Sequence, residues 1–250
     1  MSNYAKWCFT LPLTYVLYFA LSILLPQGGL FAACLRYAVI IEVFLVICKK
    51  FPSFDIKLFF NRNGEKFSFK RFFCGFFLMA GLLSLLTVVR MLRNPGTFAF
   101  TFDISRTYEL LLSLVLVVLA ALAEELMFRA FIANFKATDN PPVVKTVIIS
   151  SLLFAIAHFQ NPEVVVNAVP SMLFYFVFGA VLMLFYLRDR SIEFPLGLHI
   201  GNNLVAAWLF TYPSAAVQTN ALFTAPQSVA EEFIACALLL GLYLIRPSDR

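Results

Sequence analysis

Long apolar runs separated by short polar segments make up most of this chain. A helix needs about 20 apolar residues to cross the hydrocarbon core of a bilayer. Eight runs come close to that length or exceed it, at 9–25, 30–48, 72–92, 108–133, 145–160, 164–187, 194–212 and 229–245. The pattern predicts an all-α, polytopic membrane protein of about eight transmembrane helices, forming a single integral-membrane domain over residues 1–250.

The first run has the position of a secretory signal. Pro12 interrupts it, however, and no cleavage pattern of small residues precedes the next run. We therefore expect a retained helix rather than a removed leader.

Composition agrees with a membrane protein. Hydrophobic residues make up 61% of the chain and charged residues 13%, whereas soluble domains carry roughly a quarter charged residues. The five cysteines are scattered without C-x-x-C spacing, so we expect them to pack as small apolar residues and not to form disulfides or a zinc knuckle.

The positive charges are concentrated between apolar runs, which indicates topology and not nucleic-acid binding. Segment 49–71 is rich in Lys and Arg, whereas segments 26–29 and 213–228 carry no charge. The positive-inside rule makes 49–71 cytoplasmic. With eight spans both termini are then cytoplasmic, in what we expect to be a bacterial cytoplasmic membrane. Three arginines near one outer loop do not follow the rule: Arg90, Arg93 and Arg106.

Segment 49–71 also contains six phenylalanines among its basic residues. Such a mixture suits a stretch lying on anionic lipid. We prefer the simpler interpretation of a positively charged loop that sets topology.

Two adjacent carboxylates, Glu124 and Glu125, lie in the fourth run and are followed by Arg129. Ionisable groups at membrane depth cost about 2.5–3.5 kcal/mol each to insert, so they suggest function. Residues four apart share a helix face, which predicts an ion pair between Glu125 and Arg129. Glu124 is left without a partner in its own helix and suits general acid or base chemistry. A purely structural network is the alternative, but it leaves surplus negative charge.

Both histidines of the chain, His158 and His199, also lie in apolar runs. Phe154 precedes His158 by four residues and Asn203 follows His199 by four, so each pair shares a helix face. A single histidine near a helix end is more often structural, but two in a chain with no others favour function. A rise of about 1.5 Å per residue gives overlapping depths, which predicts one shared cavity, for Glu124, His158, His199 and Asn203.

These motifs resemble the CAAX protease and bacteriocin-processing (CPBP, or Abi) family of intramembrane proteases, which includes the endopeptidase that trims prenylated CAAX proteins. Its signature is E-E-x-x-x-R, then F-x-x-x-H, then H-x-x-x-N or H-x-x-x-D, on successive helices. Here these are Glu124 to Arg129, Phe154 to His158 and His199 to Asn203. The resemblance covers about 108–212, a predicted catalytic core of the fourth to seventh helices. Ala130, where members often have Gly, is a small departure.

The resemblance implies an endopeptidase with four catalytic residues and three supporting ones, namely Glu124, His158, His199 and Asn203, with Glu125, Arg129 and Phe154. In one mechanism Glu124 and His158 activate water while His199 and Asn203 stabilise the oxyanion. In the other, His158, His199 and Glu124 hold Zn²⁺ with an open position for water. The absence of H-E-x-x-H spacing favours the first slightly, although the family is usually labelled metalloprotease.

Two other classes stay open at this point. A proton- or ion-coupled transporter would use the carboxylates and histidines as a relay, but it predicts repeated halves with interrupted helices, which the sequence does not show. A catalytically idle immunity or scaffold protein would keep the motifs for structure. The expected partners are the lipid bilayer and a membrane-associated peptide or protein substrate, with no nucleic acid.

Overall fold

The structure is a computed structural model that describes residues 29–49, 66–93, 99–100, 107–134, 143–160, 168–205, 210–211, 223–224 and 229–245. Nearly all of these residues are helical. Within these ranges four helices are long and apolar enough to cross a membrane, at Gly29–Lys49, Phe69–Arg93, Thr107–Phe131 and Ala168–Asp189. The predicted class, an all-α polytopic membrane protein, is confirmed.

The elements follow one another as helices with three two-residue strands between them. The helices are α1 (Gly29–Lys49), α2 (Phe69–Arg93), α3 (Thr107–Glu125), a π-helical segment (Leu126–Phe131), α4 (Ile132–Asn134), α5 (Val143–Ala157), a 3₁₀ turn (His158–Gln160), α6 (Ala168–Asp189), α7 (Glu193–Leu204) and α8 (Val229–Ile245). The strands are β1 (Ala99–Phe100), β2 (Phe210–Thr211) and β3 (Phe223–Thr224). Strand β3 pairs antiparallel with β1 and parallel with β2.

The seventh predicted span is the main departure from the sequence pattern. Helix α7 has 12 residues and ends at Leu204, and residues 210–211 form β2, so the prediction of one helix over 194–212 is wrong. The hydropathy of an apolar run measures the free energy of transfer from water. It does not by itself distinguish a helix from a strand. The fifth span is also short, since α5 has 15 residues before its 3₁₀ turn. The first run, 9–25, lies outside the described residues.

Helices α2 and α7 run parallel with their backbones in direct contact. A Cβ atom at Gly197 would overlap the carbonyl oxygen of Phe72, and one at Gly201 would lie 2.7 Å from the carbonyl oxygen of Phe76. Glycines four apart allow helices in membranes to approach this closely. The face of α7 that carries Gly197 and Gly201 thus packs against α2. His199, which lies between the two glycines in sequence, contacts Glu125 of α3.

A buried carboxylate joins the N-terminal ends of α2 and α7. Oε1 of Glu193 accepts a hydrogen bond of 2.7 Å from the backbone N–H of Ser68, and its Oε2 is bonded to the hydroxyl of Ser191. Nη1 of Arg71 lies 3.8 Å from the same Oε2. The first backbone N–H groups of a helix have no partner within it and favour negative charge. Glu193 therefore fixes the axial register between the two helices.

Helix α6 packs between α5 and α8. Its ring contacts with α8 keep the same order along both helices, with Phe174 to Phe233 at 6.2 Å and Phe185 to Tyr243 at 5.5 Å. Its ring contacts with α5 run in the opposite order. Helix α6 is thus parallel to α8 and antiparallel to α5, and the candidate site lies where α3, α5, α6 and α7 meet.

Candidate active site

The carboxyl group of Glu124 faces two imidazoles from two other helical segments. Its Oε2 lies 3.7 Å from Nε2 of His158 and 3.5 Å from Nε2 of His199. Both distances exceed those of a direct N–H···O bond, and Oε2 has no hydrogen-bond partner among the described residues. The structure therefore brings together three of the four predicted catalytic side chains around one carboxylate oxygen.

The remaining ring nitrogen of His158 is held by the backbone. Its Nδ1 lies 2.8 Å from the carbonyl oxygen of Phe154. A carbonyl oxygen only accepts hydrogen bonds, so Nδ1 carries the proton and Nε2 of the neutral ring is an acceptor. His158 is the first residue of the 3₁₀ turn that follows α5, so it lies outside the regular α-helix. The hydrogen bond from Nδ1 to the carbonyl oxygen of Phe154 therefore helps to fix the orientation of its ring.

His199 is oriented in the same manner by a carboxylate. Its Nδ1 donates to Oε1 of Glu125 at 2.8 Å, and the same oxygen lies 3.1 Å from Nη1 of Arg129. The predicted ion pair between Glu125 and Arg129 is thus present, with both side chains fully buried. With Nδ1 as the donor, Nε2 of neutral His199 also faces Glu124 as an acceptor. Two acceptor nitrogens and a carboxylate cannot hydrogen-bond one another directly, so a donor, either a water molecule or a proton, is needed between them.

The guanidinium of Arg129 has few contacts beyond this pair. Its carbon Cζ lies 4.2 Å from the centre of the Phe154 ring, in a cation–π contact. Its Nε, Nη1 and Nη2 have no hydrogen bond of good geometry within the part of the chain that is described. The Arg129 guanidinium is therefore stabilised by its ion pair with Glu125 and by the face of the Phe154 ring. Without Glu125 its buried charge would have no carboxylate partner in the pair.

A π-helical segment positions these charged groups. Glu125 is the last residue of α3, and Leu126–Phe131, which contains Arg129, is π-helical and fully buried. Such segments are rare and occur frequently at functional sites. The sequence predicted one continuous α-helix here, and its pattern contains no signal for the change.

Aromatic rings enclose the two histidines. The ring of Tyr175 from α6 stacks on His158 with centroids 4.0 Å apart and planes inclined by 22°. Phe154 lies 4.5 Å from His158 and 5.7 Å from His199. Phe178 approaches His199 edge-on at 5.6 Å. Phe154 was predicted as a supporting residue, whereas Tyr175 and Phe178 were missed, because nothing in the sequence distinguishes them from other aromatic residues of an apolar run.

Asn203 lies one turn beyond His199 on α7 and is half-buried. Its contact among the described residues is with its neighbour, since Nδ2 of Asn202 donates to its Oδ1 at 3.3 Å. This bond occupies the amide oxygen of Asn203 and leaves its NH₂ group to donate. The structure thus places Asn203 on the predicted face but not in contact with Glu124.

Exposure divides the cluster into an open part and a sealed part. The side chains of Glu124 and His158 are 15% and 14% exposed, whereas those of His199 and Glu125 are 2% and 0% exposed. Glu124 and His158 therefore form the more exposed edge of the cluster. His199 is shielded from solvent and set by Glu125.

Zinc ligation was the alternative use of Glu124, His158 and His199. Both histidines bond an acceptor through Nδ1, as metal ligands usually do. Within the described residues, however, no group of three or more His, Cys, Asp or Glu side chains is arranged to hold a metal ion.

Residues 106–205 match the family described as type II CAAX prenyl endopeptidase Rce1-like. This range covers all three motifs, from Glu124 to Asn203. The resemblance to CAAX proteases that the motifs predict is confirmed over these residues.

A relative in Bacillus subtilis (strain 168), the uncharacterized protein YyaK, is 32% identical over 150 residues. The matched part is 59% of this chain and 50% of YyaK, so the chain spans about half the length of that relative.

Proposed function

On the premise that residues 106–205 resemble type II CAAX prenyl endopeptidases, we propose that this chain hydrolyses a peptide bond of a membrane-associated protein or peptide by activating water with Glu124 and His158. The observation that carries the proposal is the position of the Glu124 carboxyl group, 3.7 and 3.5 Å from the Nε2 atoms of two histidines. A general base must lie within reach of the proton that it removes, either directly or through one water molecule.

The proposed mechanism uses Nε2 of His199 as a hydrogen-bond donor, which requires a proton on that nitrogen. Glu124 and Glu125 place two carboxylates beside the ring of His199, and Arg129 is paired with Glu125. Charges that are paired are tolerated in a buried site, so these neighbours are compatible with a protonated ring.

His158 then has a different role from His199. Its neutral ring presents an acceptor Nε2 beside the partly exposed Glu124. A water molecule between them donates one proton to Nε2 of His158 and the other to the carboxylate, and its oxygen lone pair is free to attack. The two carboxylates and the two histidines thus differ in role because their surroundings differ.

The hydrolysis proceeds in two steps through these groups. Glu124 removes a proton from the water molecule while the water oxygen bonds to the scissile carbonyl carbon. This gives a tetrahedral intermediate in which the former carbonyl oxygen is negatively charged. Nε2–H of His199 and the NH₂ group of Asn203 donate hydrogen bonds to that oxygen. Glu124 then passes the proton to the amide nitrogen, the C–N bond breaks as the carbonyl re-forms, and the products are a carboxylic acid and an amine.

The substrate is proposed by class only. Prenylated C-terminal peptides, leader peptides of secreted peptides and membrane-bound regulators all present a peptide bond at the membrane. The family match favours the first of these.

Purified protein in detergent or liposomes, incubated with peptides of these three classes, tests the proposal. Glu124→Gln keeps the shape of the side chain but cannot accept the proton, so turnover should fall by about 10²–10⁴ with folding unchanged. Asn203→Ala should cost about 10²–10³ in turnover. Wild-type activity in both variants would reject the protease assignment.

Metal content separates the two mechanisms in the same experiment. A glutamate-activated mechanism predicts full activity in the presence of a chelator and no stoichiometric metal by mass spectrometry. A zinc enzyme would be silenced by the chelator and would lose bound metal in His158→Ala and His199→Ala.

A further inference from the structure

Among the described residues, Tyr175 is the aromatic side chain with the closest ring contact to either histidine. Its ring and that of His158 lie 4.0 Å apart with an inclination of 22°, which is a stacked arrangement. The other ring beside His158, Phe154, is tilted by 52° at 4.5 Å. Phe154 itself lies 6.2 Å from Tyr175, so the imidazole is held in a cage formed by α5 and α6.

This contact matters because His158 has few other constraints. His158 is the first residue of a 3₁₀ turn. One edge of its ring is anchored by the hydrogen bond from Nδ1 to the carbonyl oxygen of Phe154. A single hydrogen bond allows the ring to swing about its own axis. A ring stacked against one face prevents that rotation and keeps Nε2 directed at Glu124.

We propose that Tyr175 is a positioning residue that holds the imidazole of His158 in the plane needed for water activation. This rests on the proposed function, since it assigns Tyr175 a part in the same step. The aromatic ring carries the effect, and the hydroxyl group is not required for it. Misplacement of a catalytic group by about 1 Å can cost about 10² in rate.

Substitution of the ring tests the proposal. Tyr175→Leu should lower kcat by about 10² and leave KM nearly unchanged, because the contact acts on the reacting group and not on substrate binding. Tyr175→Phe retains the stacked ring and should restore kcat to within about threefold of wild type. Tyr108→Leu, at a tyrosine that is 66% exposed near the start of α3, is the matched control and should behave as wild type.

NMR of histidine-labelled protein gives a readout that does not need cleavage. The chain has two histidines, so two sets of ring signals are expected, and His158→Gln assigns them. Loss of the stacked ring in Tyr175→Leu should broaden the His158 signals, because a ring that is free to rotate exchanges between orientations, and it should leave those of His199 sharp. Tyr175→Phe should keep the His158 signals sharp. If the wild-type chain cleaves no peptide, the proposed function fails, yet this broadening still tests the positioning role.

Three results would overturn the proposal. The first is wild-type kcat with sharp His158 signals in Tyr175→Leu. The second is equal loss of activity in Tyr175→Phe and Tyr175→Leu, which would assign the role to the hydroxyl group. The third is failure to fold in both Tyr175→Leu and Tyr175→Met, which would reduce Tyr175 to a packing residue.

Discussion

At the scale of single residues, Glu125 shows how charge is tolerated in this apolar protein. One of its oxygens serves both Arg129, at 3.1 Å, and His199, at 2.8 Å. All three side chains are buried, so each depends on the others for compensation. Removal of one partner of a buried ion pair costs about 3–5 kcal/mol, mostly because the other charge is stranded. The same residues thus stabilise the fold and orient the ring of His199.

Arg129→Ala should therefore lower the yield of folded protein as well as activity. The variant leaves Glu125 as an uncompensated buried charge, a loss on the order of 3–5 kcal/mol. Arg129→Ala combined with Glu125→Gln removes that charge and should recover part of the yield but not the activity. The measurement is the monodisperse fraction in detergent gel filtration. If the double variant is no better folded than the single one, the ion pair does not stabilise the protein.

At the scale of elements, α7 is the most constrained helix of the site. Gly197 and Gly201 bring it against α2, and Glu193 fixes its start relative to α2. His199 lies between the two glycines and Asn203 follows by one turn. A shift of α7 along α2 would therefore move His199 and Asn203 together. The close backbone contact thus helps to set the positions of both side chains in the candidate site.

Gly197→Ala should destabilise the protein and impair the site, because the added methyl group overlaps the backbone carbonyl of Phe72. Overpacking of this kind costs about 1–3 kcal/mol, and a backbone atom cannot move aside as a side chain can. Gly81→Ala is the matched control on α2, since a Cβ atom there meets nothing within 4 Å. Thermal unfolding in detergent should show a lower midpoint for Gly197→Ala and an equal or higher one for Gly81→Ala. The reverse order would contradict the close packing of α2 and α7.

At the scale of the whole molecule, charge at the far end of α2 is compensated within the fold. Arg90 did not follow the positive-inside pattern, and the structure pairs its Nε with Oε1 of Glu231 on α8 at 3.1 Å. The hydroxyl of Thr87 lies 3.5 Å from Oε2 of Glu231. A paired arginine contributes less to topology than a free one. Glu193 and Arg71 lie at the opposite end of α2, toward the basic segment 49–71.

The predicted topology is tested by cysteine labelling. A single reactive cysteine at Ser53, in the basic segment, should react with an impermeant reagent only from the cytoplasmic side. A cysteine at Gln218, in the uncharged connection, should react only from outside. Both positions lie outside the described residues, so the prediction rests on sequence. Labelling of both cysteines from one face would reject the arrangement of eight spans.

The sequence alone determined the membrane class and the chemical groups of the site. Apolar runs and intramembrane charges follow from transfer energies that depend on residue type, and spacings of four residues determine which side chains share a helix face. These two rules select the candidate site residues Glu124, Glu125, Arg129, His158 and His199. They also predict the ion pair of Glu125 with Arg129.

Only the tertiary structure decided how these groups meet. The convergence of Glu124 with two imidazoles depends on contacts between helices distant in sequence. The stacking of Tyr175 on His158 has the same origin. The π-helical segment that contains Arg129 and the early end of α7 were also not predicted, because hydropathy measures transfer from water and not backbone conformation. Conformations that bury the same apolar residues differ in how well the helices pack against one another. That packing set the geometry of the site.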